Sequence, residues 1–204
     1  WLDALEREAA ELAVAIAAAR ADSVARLAAL IAAGRDDGDA FPWADIALAG
    51  ALAAALATAS AGAVEDEFRG RLAAMRPRDR AAGRAVEGPQ TSDRVVRHGP
   101  KAMPAALSST GEQKALLLGL VLAHARLVAQ TEGATPIVLL DEVAAHLDPA
   151  RRAALYDALE RLGAQAWLSG TDPEAFAPLD GRAAIFHIGG DGGAALPGAA
   201  GEMP

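Results

Sequence analysis

Two acidic residues at the end of an apolar run are the first candidates for chemistry. The run from Ile137 to Leu140 is continuously aliphatic, and Asp141 and Glu142 follow it directly. Such a run predicts a central parallel strand covered on both faces, and ligands bind at the carboxyl ends of such strands. A carboxylate there can hold Mg²⁺ directly or through water. We predict that Asp141 binds the metal and Glu142 polarises an attacking water; acids that merely cap the next segment are the alternative.

A turn of small and polar residues lies upstream, where residues 108–113 read Ser-Ser-Thr-Gly-Glu-Gln. Ser109 or Thr110 can cap a helix that begins near Glu112, and Gly111 lets the backbone turn tightly or approach a phosphate closely. A helix amino terminus presents free N–H groups and a partial positive charge, which favour anions. The segment therefore predicts a phosphate-binding helix end, with an ordinary helix start as the alternative.

Two further candidates follow the acidic pair. Asp148 is a good helix cap and Pro149 suits a first helical position, so those roles alone could explain both residues. Residues 166–168 predict a second strand, which continues into Ser-Gly-Thr-Asp at 169–172. This strand end carries a hydroxyl and is placed where a sensor of a γ-phosphate could stand.

A phosphate-binding loop needs Gly-Lys followed by Ser or Thr. The chain has two lysines; Lys101 follows Pro100 and Lys114 follows Gln113, so neither belongs to such a loop. This sequence alone therefore cannot form a complete ATP site. Because the chain begins at Trp1 inside a helical pattern, we expect it to be a fragment of a longer protein.

Periodicity divides the chain into an α-helical part and an α/β part. Residues 1–75 predict an all-helical arm or lobe, with helices over 1–33, 44–62 and 64–75. Residues 102–190 predict an α/β portion with helices over 112–130 and 149–162 and strands over 137–140, 166–168 and 184–188. Residues 191–204 predict a flexible tail rich in glycine and alanine.

Composition narrows the class of protein. A net charge of −8 over 204 residues argues against the whole chain acting as an electrostatic DNA-binding body. The absence of cysteine excludes disulfides and thiolate metal sites and fits a reducing cytoplasm. No uninterrupted apolar stretch is long enough and free of charge, so we predict no membrane span.

Residues 76–101 form a basic connecting segment between these parts. Its cations outnumber its acids, which are Asp79, Glu87 and Asp93. The cations are Arg76, Arg78, Arg80, Arg84, Arg94, Arg97 and Lys101. A local basic surplus is a candidate phosphate-contacting surface; a solvated linker with paired arginines is the alternative. Val95 and Val96 could form a short strand.

Three motifs taken together resemble the RecF family of bacterial recombination mediators, in the SMC-like branch of cassette ATPases. They are residues 107–116, residues 137–142 and residues 145–148. Val143 stands where transporter cassettes usually carry proline. The resemblance, over about 85–190, implies the carboxyl-terminal half of an ABC-type P-loop ATPase head preceded by an all-helical lobe.

The resemblance also implies roles for individual residues. Glu142 would activate water, Asp141 would assist magnesium, and Thr171 would replace the switch histidine. The remaining nucleotide-site positions are Ser109, Thr110, Gly111, Glu112 and Asp148. Of these, Ser109 and Gly111 would contact the γ-phosphate across a dimer, and Asp148 would belong to the dimer-contact loop.

As a function, the resemblance implies an ATP- and Mg²⁺-dependent homodimer that acts in DNA repair in the cytoplasm. It would bind DNA at junctions between single and double strands and help load recombinase with RecO and RecR, hydrolysing ATP only as the full-length dimer. Two alternatives stay open: a non-catalytic module that binds protein or DNA, and another SMC-like ATPase. The first helices are too short and alanine-rich for the sustained heptads of a long coiled coil.

Overall fold

The computed structural model describes residues 1–34, 40–143, 147–188 and 194–195. The chain divides into two compact units, Trp1–Gly133 and Ala134–Pro204. The helices are α1 (Leu2–Ala33), α2 (Ala51–Leu56), α3 (Ala61–Ala82), α4 (Thr110–Glu132) and α5 (Pro149–Leu162). The strands are β1 (Ala44–Ala49), β2 (Asp93–His98), β3 (Met103–Pro104), β4 (Val138–Leu140), β5 (Ala166–Leu168), β6 (His187–Ile188) and β7 (Ala194–Ala195).

In the first unit, α1 packs against α2 and α3 through small side chains. The buried cluster consists of Ala10, Ala13, Val14, Ala17, Leu52, Val64 and Phe68. Alanines on one stripe of α1 let the helix axes approach closely, and Phe68 is the largest side chain of the cluster. The Arg76 guanidinium also donates hydrogen bonds to the carboxylates of Asp3 and Glu6, which ties the far end of α3 to the start of α1.

A second buried cluster joins α1 and α4 to an antiparallel sheet of order β1-β2-β3. Its members are Leu27, Ala44, Ile46, Leu116 and Ala123. In the register of the sheet, Ala44 lies opposite His98 and Ile46 lies opposite Val96. Residues of α1, β1 and α4 therefore share one hydrophobic core.

The prediction of a helix over 44–62 is wrong for its first six residues, which form β1. Ala44 and Ile46 are buried while Asp45 and Ala47 are not, so the strand alternates with a period of two. Alanine favours a helix locally, but pairing with β2 outweighs that preference. The expectation of an all-helical lobe over 1–75 is therefore corrected, whereas the short strand expected at Val95–Val96 is confirmed within β2.

The second unit contains a parallel strand pair, β4 and β5, connected through α5. The predicted helix over 149–162 and the predicted strand over 166–168 are confirmed at their expected bounds. Buried Leu155 and Leu159 form the apolar side of α5. The Tyr156 hydroxyl donates a hydrogen bond of 2.8 Å to the carbonyl oxygen of Ala175 in a 3-10 segment. Of the strand expected over 184–188, the last two residues form β6, which pairs with β7.

The exposed side of β4 departs from the expectation of a strand covered on both faces. Val138 and Leu140 are buried, but Leu139 is 74% exposed and its register neighbour Trp167 is 54% exposed. The described residues of the second unit thus cover only one face of this strand pair. Residues 145 and 146 of the third motif, and residues 191–193 and 196–204 of the expected tail, lie outside the described residues.

Helix α4 is long and apolar enough, with a mean hydropathy of 1.3, to meet the length and composition of a membrane span. The sequence analysis predicted no membrane span and did not identify this helix as a candidate for one. Soluble core helices meet the same criteria, and α4 packs Leu116 and Ala123 into the core shared with α1 and β1. Its other side is open, because Leu117 is 61% exposed.

Candidate nucleotide site

Strands β4 and β5 bring two chain segments together at one edge of the second unit. Leu140 and Leu168 are paired at the carboxyl ends of these parallel strands. The pairing continues by one residue, because the Ser169 N–H donates to the Leu140 carbonyl oxygen at 3.0 Å. Asp141 and Ser169 consequently leave the sheet side by side, at the end where ligands bind in open α/β sheets.

The hydroxyl of Ser169 contacts both acidic residues that the sequence singled out. It donates a hydrogen bond to Oδ1 of Asp141 and accepts one from the backbone N–H of Glu142 at 3.2 Å. Glu142 has a φ of 52°, in the left-handed region. The structure therefore gathers Asp141, Glu142 and Ser169 at a single strand edge.

Thr171 does not share in these contacts. It is exposed and has no hydrogen bond within the described parts of the chain. The next residue, Asp172, accepts from the backbone N–H of Glu174 at 3.0 Å and begins a 3-10 segment. Sequence reasoning singled out Thr171 and passed over Ser169. The hydroxyl that meets the acids is that of Ser169, because this residue directly follows β5 whereas Thr171 lies beyond the strand end.

Asp148 caps α5, as its position before Pro149 predicts. Its carboxylate accepts a hydrogen bond of 2.9 Å from the backbone N–H of Arg151 and lies 3.6 Å from the Arg151 guanidinium. Pro149 occupies the beginning of the helix, where its missing N–H leaves no bond unmade. This local role accounts for Asp148 within the chain and leaves its carboxylate half-exposed.

The amino terminus of α4 carries a complete capping box. The Ser109 hydroxyl accepts from the backbone N–H of Glu112 at 3.4 Å, and Oε2 of Glu112 accepts from the backbone N–H of Ser109 at 3.1 Å. The side-chain amide of Gln113 also donates to the carbonyl oxygen of Ser108 at 2.9 Å. Reciprocal capping of this kind fixes the entry of the chain into the helix.

Capping leaves two backbone donors at this helix end without partners. The N–H groups of Thr110 and Gly111 make no hydrogen bond to any described residue. A Cβ built on Gly111 would meet nothing within 4 Å, so the space above it is open. Free N–H groups at a helix start attract anions. The tight-turn interpretation of Gly111 is unnecessary, since it lies within the first turn of α4.

Glu112 is fully engaged by the chain itself. Besides the Ser109 bond, its Oε1 pairs with the ammonium group of Lys101. The Lys101 ammonium and the Ser109 N–H lower the pKa of the Glu112 carboxyl from 4.5 to about 2. Sequence reasoning used Lys101 only to exclude a phosphate loop and missed this partnership. In the observed geometry, Glu112 shapes the helix start and offers no oxygen free of a partner.

The donor set at the strand edge is suited to magnesium. Oδ1 of Asp141 is held by Ser169, and Oδ2 has no hydrogen bond within the described residues. Among residues 1–34, 40–143 and 147–188, no group of three or more His, Asp or Glu side chains could hold a metal by itself. Magnesium commonly uses one or two carboxylates together with substrate phosphates and waters. Asp141 could therefore hold Mg²⁺ once a phosphate ligand is present.

Comparison with known proteins identifies the family. A family model described as "AAA domain, putative AbiEii toxin, Type IV TA system" matches residues 13–170. Proteins named DNA replication and repair protein RecF are similar over 188 residues, which is 92% of this chain. That of Mesorhizobium japonicum is 58% identical and that of Brucella abortus 53% identical. The chain spans about half, 49%, of the length of these relatives.

Solved structures agree at the level of the fold. Recombination mediator protein RecF of the RecFOR pathway, solved with ATP, matches 84% of this chain at a TM-score of 0.67 and 18% identity. The form solved with ATPrS gives a TM-score of 0.66 and 19% identity, and the chain covers 45% of either structure. The expected α/β P-loop ATPase-like fold and the resemblance to RecF are thus confirmed. Because the family model covers more than half of this chain, the chain belongs to this family of AAA domains. RecF proteins are among its relatives.

Proposed function

We propose that this chain supplies part of the nucleotide site of an ATP-dependent DNA-repair ATPase related to RecF. The observation that carries the proposal is the joining of Asp141 and Glu142 through Ser169 at the carboxyl edge of β4 and β5. In a parallel sheet that edge is where phosphates and metals are bound. The similarity to RecF proteins over 92% of the chain supports the same assignment.

The proposed chemistry is divided between the carboxyl edge of β4 and β5 and the amino terminus of α4. Bound Mg²⁺ would neutralise phosphate charge, with Asp141 as its protein ligand. Glu142 would orient a water for attack on the γ-phosphate. The free N–H groups at the start of α4 would receive the γ-phosphate of a nucleotide held by a second copy, with Ser109 and Gly111 in contact. Since the sequence has no Gly-Lys-Ser/Thr loop, these 204 residues alone should hydrolyse little or no ATP.

Replacing Glu142 by Gln in the full-length protein tests the catalytic part. The amide keeps the size of the side chain but cannot accept the water's proton. We expect ATP turnover to fall by about 100-fold or more, because general bases contribute about 10²–10⁴-fold. The ATP-bound dimer should accumulate, which light scattering would detect. Glu174→Gln, in an exposed acid of the same unit, is the control. Unchanged turnover in Glu142→Gln would refute the role of Glu142.

DNA contact is proposed for one part of the basic segment. Arg76 is bound to Asp3 and Glu6, and Arg71 is bound to Glu87, so these guanidinium groups stabilise the fold. The exposed residues Arg78, Arg80 and Arg84 lack an acidic partner within the described chain. They lie at the end of α3 and just beyond it. Unpaired, exposed arginines can approach phosphates without first breaking an ion pair.

The salt dependence of DNA binding by the full-length protein tests this assignment. Substitution of Arg78, Arg80 and Arg84 by Ala should weaken binding and lower the slope of log K against log salt by about 0.9 for each phosphate that the protein no longer neutralises. Arg26→Ala combined with Arg69→Ala removes arginines already paired with acids on their own helices and serves as the control. Equal slopes for the wild type and the triple variant would identify the segment as a linker. Junction preference, homodimer formation and partnership with RecO and RecR extend the same proposal.

A further inference from the structure

The Ser169 hydroxyl makes two hydrogen bonds to residues at the end of β4, one as donor and one as acceptor. The group has one proton, which it donates to Oδ1 of Asp141, and its lone pair accepts the N–H of Glu142. The backbone N–H of Ser169 is also fixed, to the Leu140 carbonyl oxygen. Ser169 therefore links the end of β5 to three consecutive residues at the end of β4.

The backbone of Glu142 needs such support. Its φ of 52° lies in a region that side chains other than glycine seldom adopt, because the Cβ crowds the backbone. A residue persists there when its surroundings impose the conformation. Among the described residues, the Ser169 hydroxyl is the hydrogen-bond partner of the Glu142 N–H. The left-handed turn at Glu142 thus coincides with the contact from Ser169.

We propose that Ser169 is a positioning residue, whose hydroxyl orients the Asp141 carboxylate and holds the left-handed backbone of Glu142. The inference rests on the proposed function, in which these two acids serve the metal and the water. One proton of Ser169 directed at Oδ1 leaves Oδ2 of Asp141 for a cation. The same hydroxyl sets the point from which the Glu142 side chain departs. In this role Ser169 acts through Asp141 and Glu142.

Groups that orient metal ligands typically change affinity or activity by about 10–100-fold when removed. Ser169→Ala in the full-length protein should therefore lower ATP turnover at saturating ATP and Mg²⁺ by about 10–100-fold. Ser169→Thr keeps the hydroxyl and should restore most of the turnover. Ser60→Ala is the control for a change that only destabilises the fold, because it removes the hydroxyl that caps α3.

Amide hydrogen exchange at Glu142 provides a readout independent of activity. In Ser169→Ala the Glu142 amide should exchange roughly 2- to 10-fold faster, as the loss of one hydrogen bond predicts. It should stay protected in Ser169→Thr and in Ser60→Ala. Unchanged exchange at Glu142 in Ser169→Ala would overturn the proposal. The proposal would also be overturned if Ser169→Ala speeds exchange of the Glu142 amide but keeps full ATP turnover, while Glu142→Gln abolishes turnover.

ATP turnover of Glu142→Gln tests the proposed function, and exchange of the Glu142 amide in Ser169→Ala tests the positioning role of Ser169. If Glu142→Gln leaves turnover intact, the catalytic assignment fails. The exchange of the Glu142 amide still decides whether Ser169 holds the turn. If Glu142→Gln abolishes turnover and Ser169→Ala alters neither exchange nor rate, the site survives and the positioning role is refuted.

Discussion

Glu112 shows how much of a candidate site can be occupied by local structure. Its carboxylate closes the capping box with Ser109 and pairs with Lys101. Both contacts favour the ionised form, which is why the pKa of this carboxyl falls to about 2. The residue therefore holds the start of α4 in place, while the neighbouring N–H groups of Thr110 and Gly111 remain available to an anion.

The lowered pKa of Glu112 predicts a pH-dependent contribution to stability. A carboxyl whose folded pKa lies below its unfolded value stabilises the fold fully above the unfolded value, 4.5, and loses that contribution as pH falls towards about 2. Urea unfolding should show Glu112→Gln to be less stable than the wild type at pH 7. The gap should narrow between pH 4.5 and 2. Glu132→Gln, at the exposed end of the same helix, is the control; a gap constant over this range would contradict the assignment.

At this scale, sequence reasoning located the acids but missed their partners. Asp141 and Glu142 follow directly from an apolar run, because a strand end is a local feature. Ser169 is 28 residues from Asp141, and their contact depends on the parallel register of β4 and β5. That register is a tertiary property. The pairing of Lys101 with Glu112 likewise depends on tertiary structure, because Lys101 lies in the turn between β2 and β3.

Among the elements, those with strong end signals were predicted best. Helix α5 is capped by Asp148 before Pro149 and is followed by Gly163, which adopts the left-handed conformation. Such caps define a helix from sequence alone. Strand β1 carries no comparable signal, because its alternation rests on alanines that are equally acceptable in a helix. Only its pairing with β2 distinguishes the two states.

The helical layer of the first unit depends on Phe68. This side chain is 2% exposed and packs with Val14 and Val64 among small alanines. Phe68→Ala should lower the free energy of unfolding by about 3–5 kcal/mol, since few neighbours can move into the cavity. Leu12→Ala, at a position 56% exposed on α1, should change it by less than about 0.5 kcal/mol. Denaturant unfolding monitored by circular dichroism measures both. Equal effects would contradict the assigned core.

At the scale of the whole molecule, the chain covers 49% of the length of its RecF relatives. The proposed ATPase activity is therefore that of a longer protein. The open face of β4 and β5 points the same way. Parallel sheets are normally covered on both sides, and Leu139 and Trp167 are exposed here. We expect another part of the full-length protein to cover this face.

The central claim is that the start of α4 and the acidic edge of β4 serve nucleotide sites shared between two subunits. Mixing two inactive full-length variants, Ser109→Arg and Glu142→Gln, tests this claim most directly. In a mixed dimer one site would combine the intact Glu142 of the first variant with the intact Ser109 of the second, and the other site would have neither.

Steady-state ATP turnover of the equimolar mixture is the decisive measurement. Each variant alone should be inactive. After subunit exchange the mixture should recover about a quarter of wild-type turnover, because half of the dimers are mixed and each has one intact site. A mixture as inactive as its components would contradict sites shared across a dimer and place both residues in the same subunit's site.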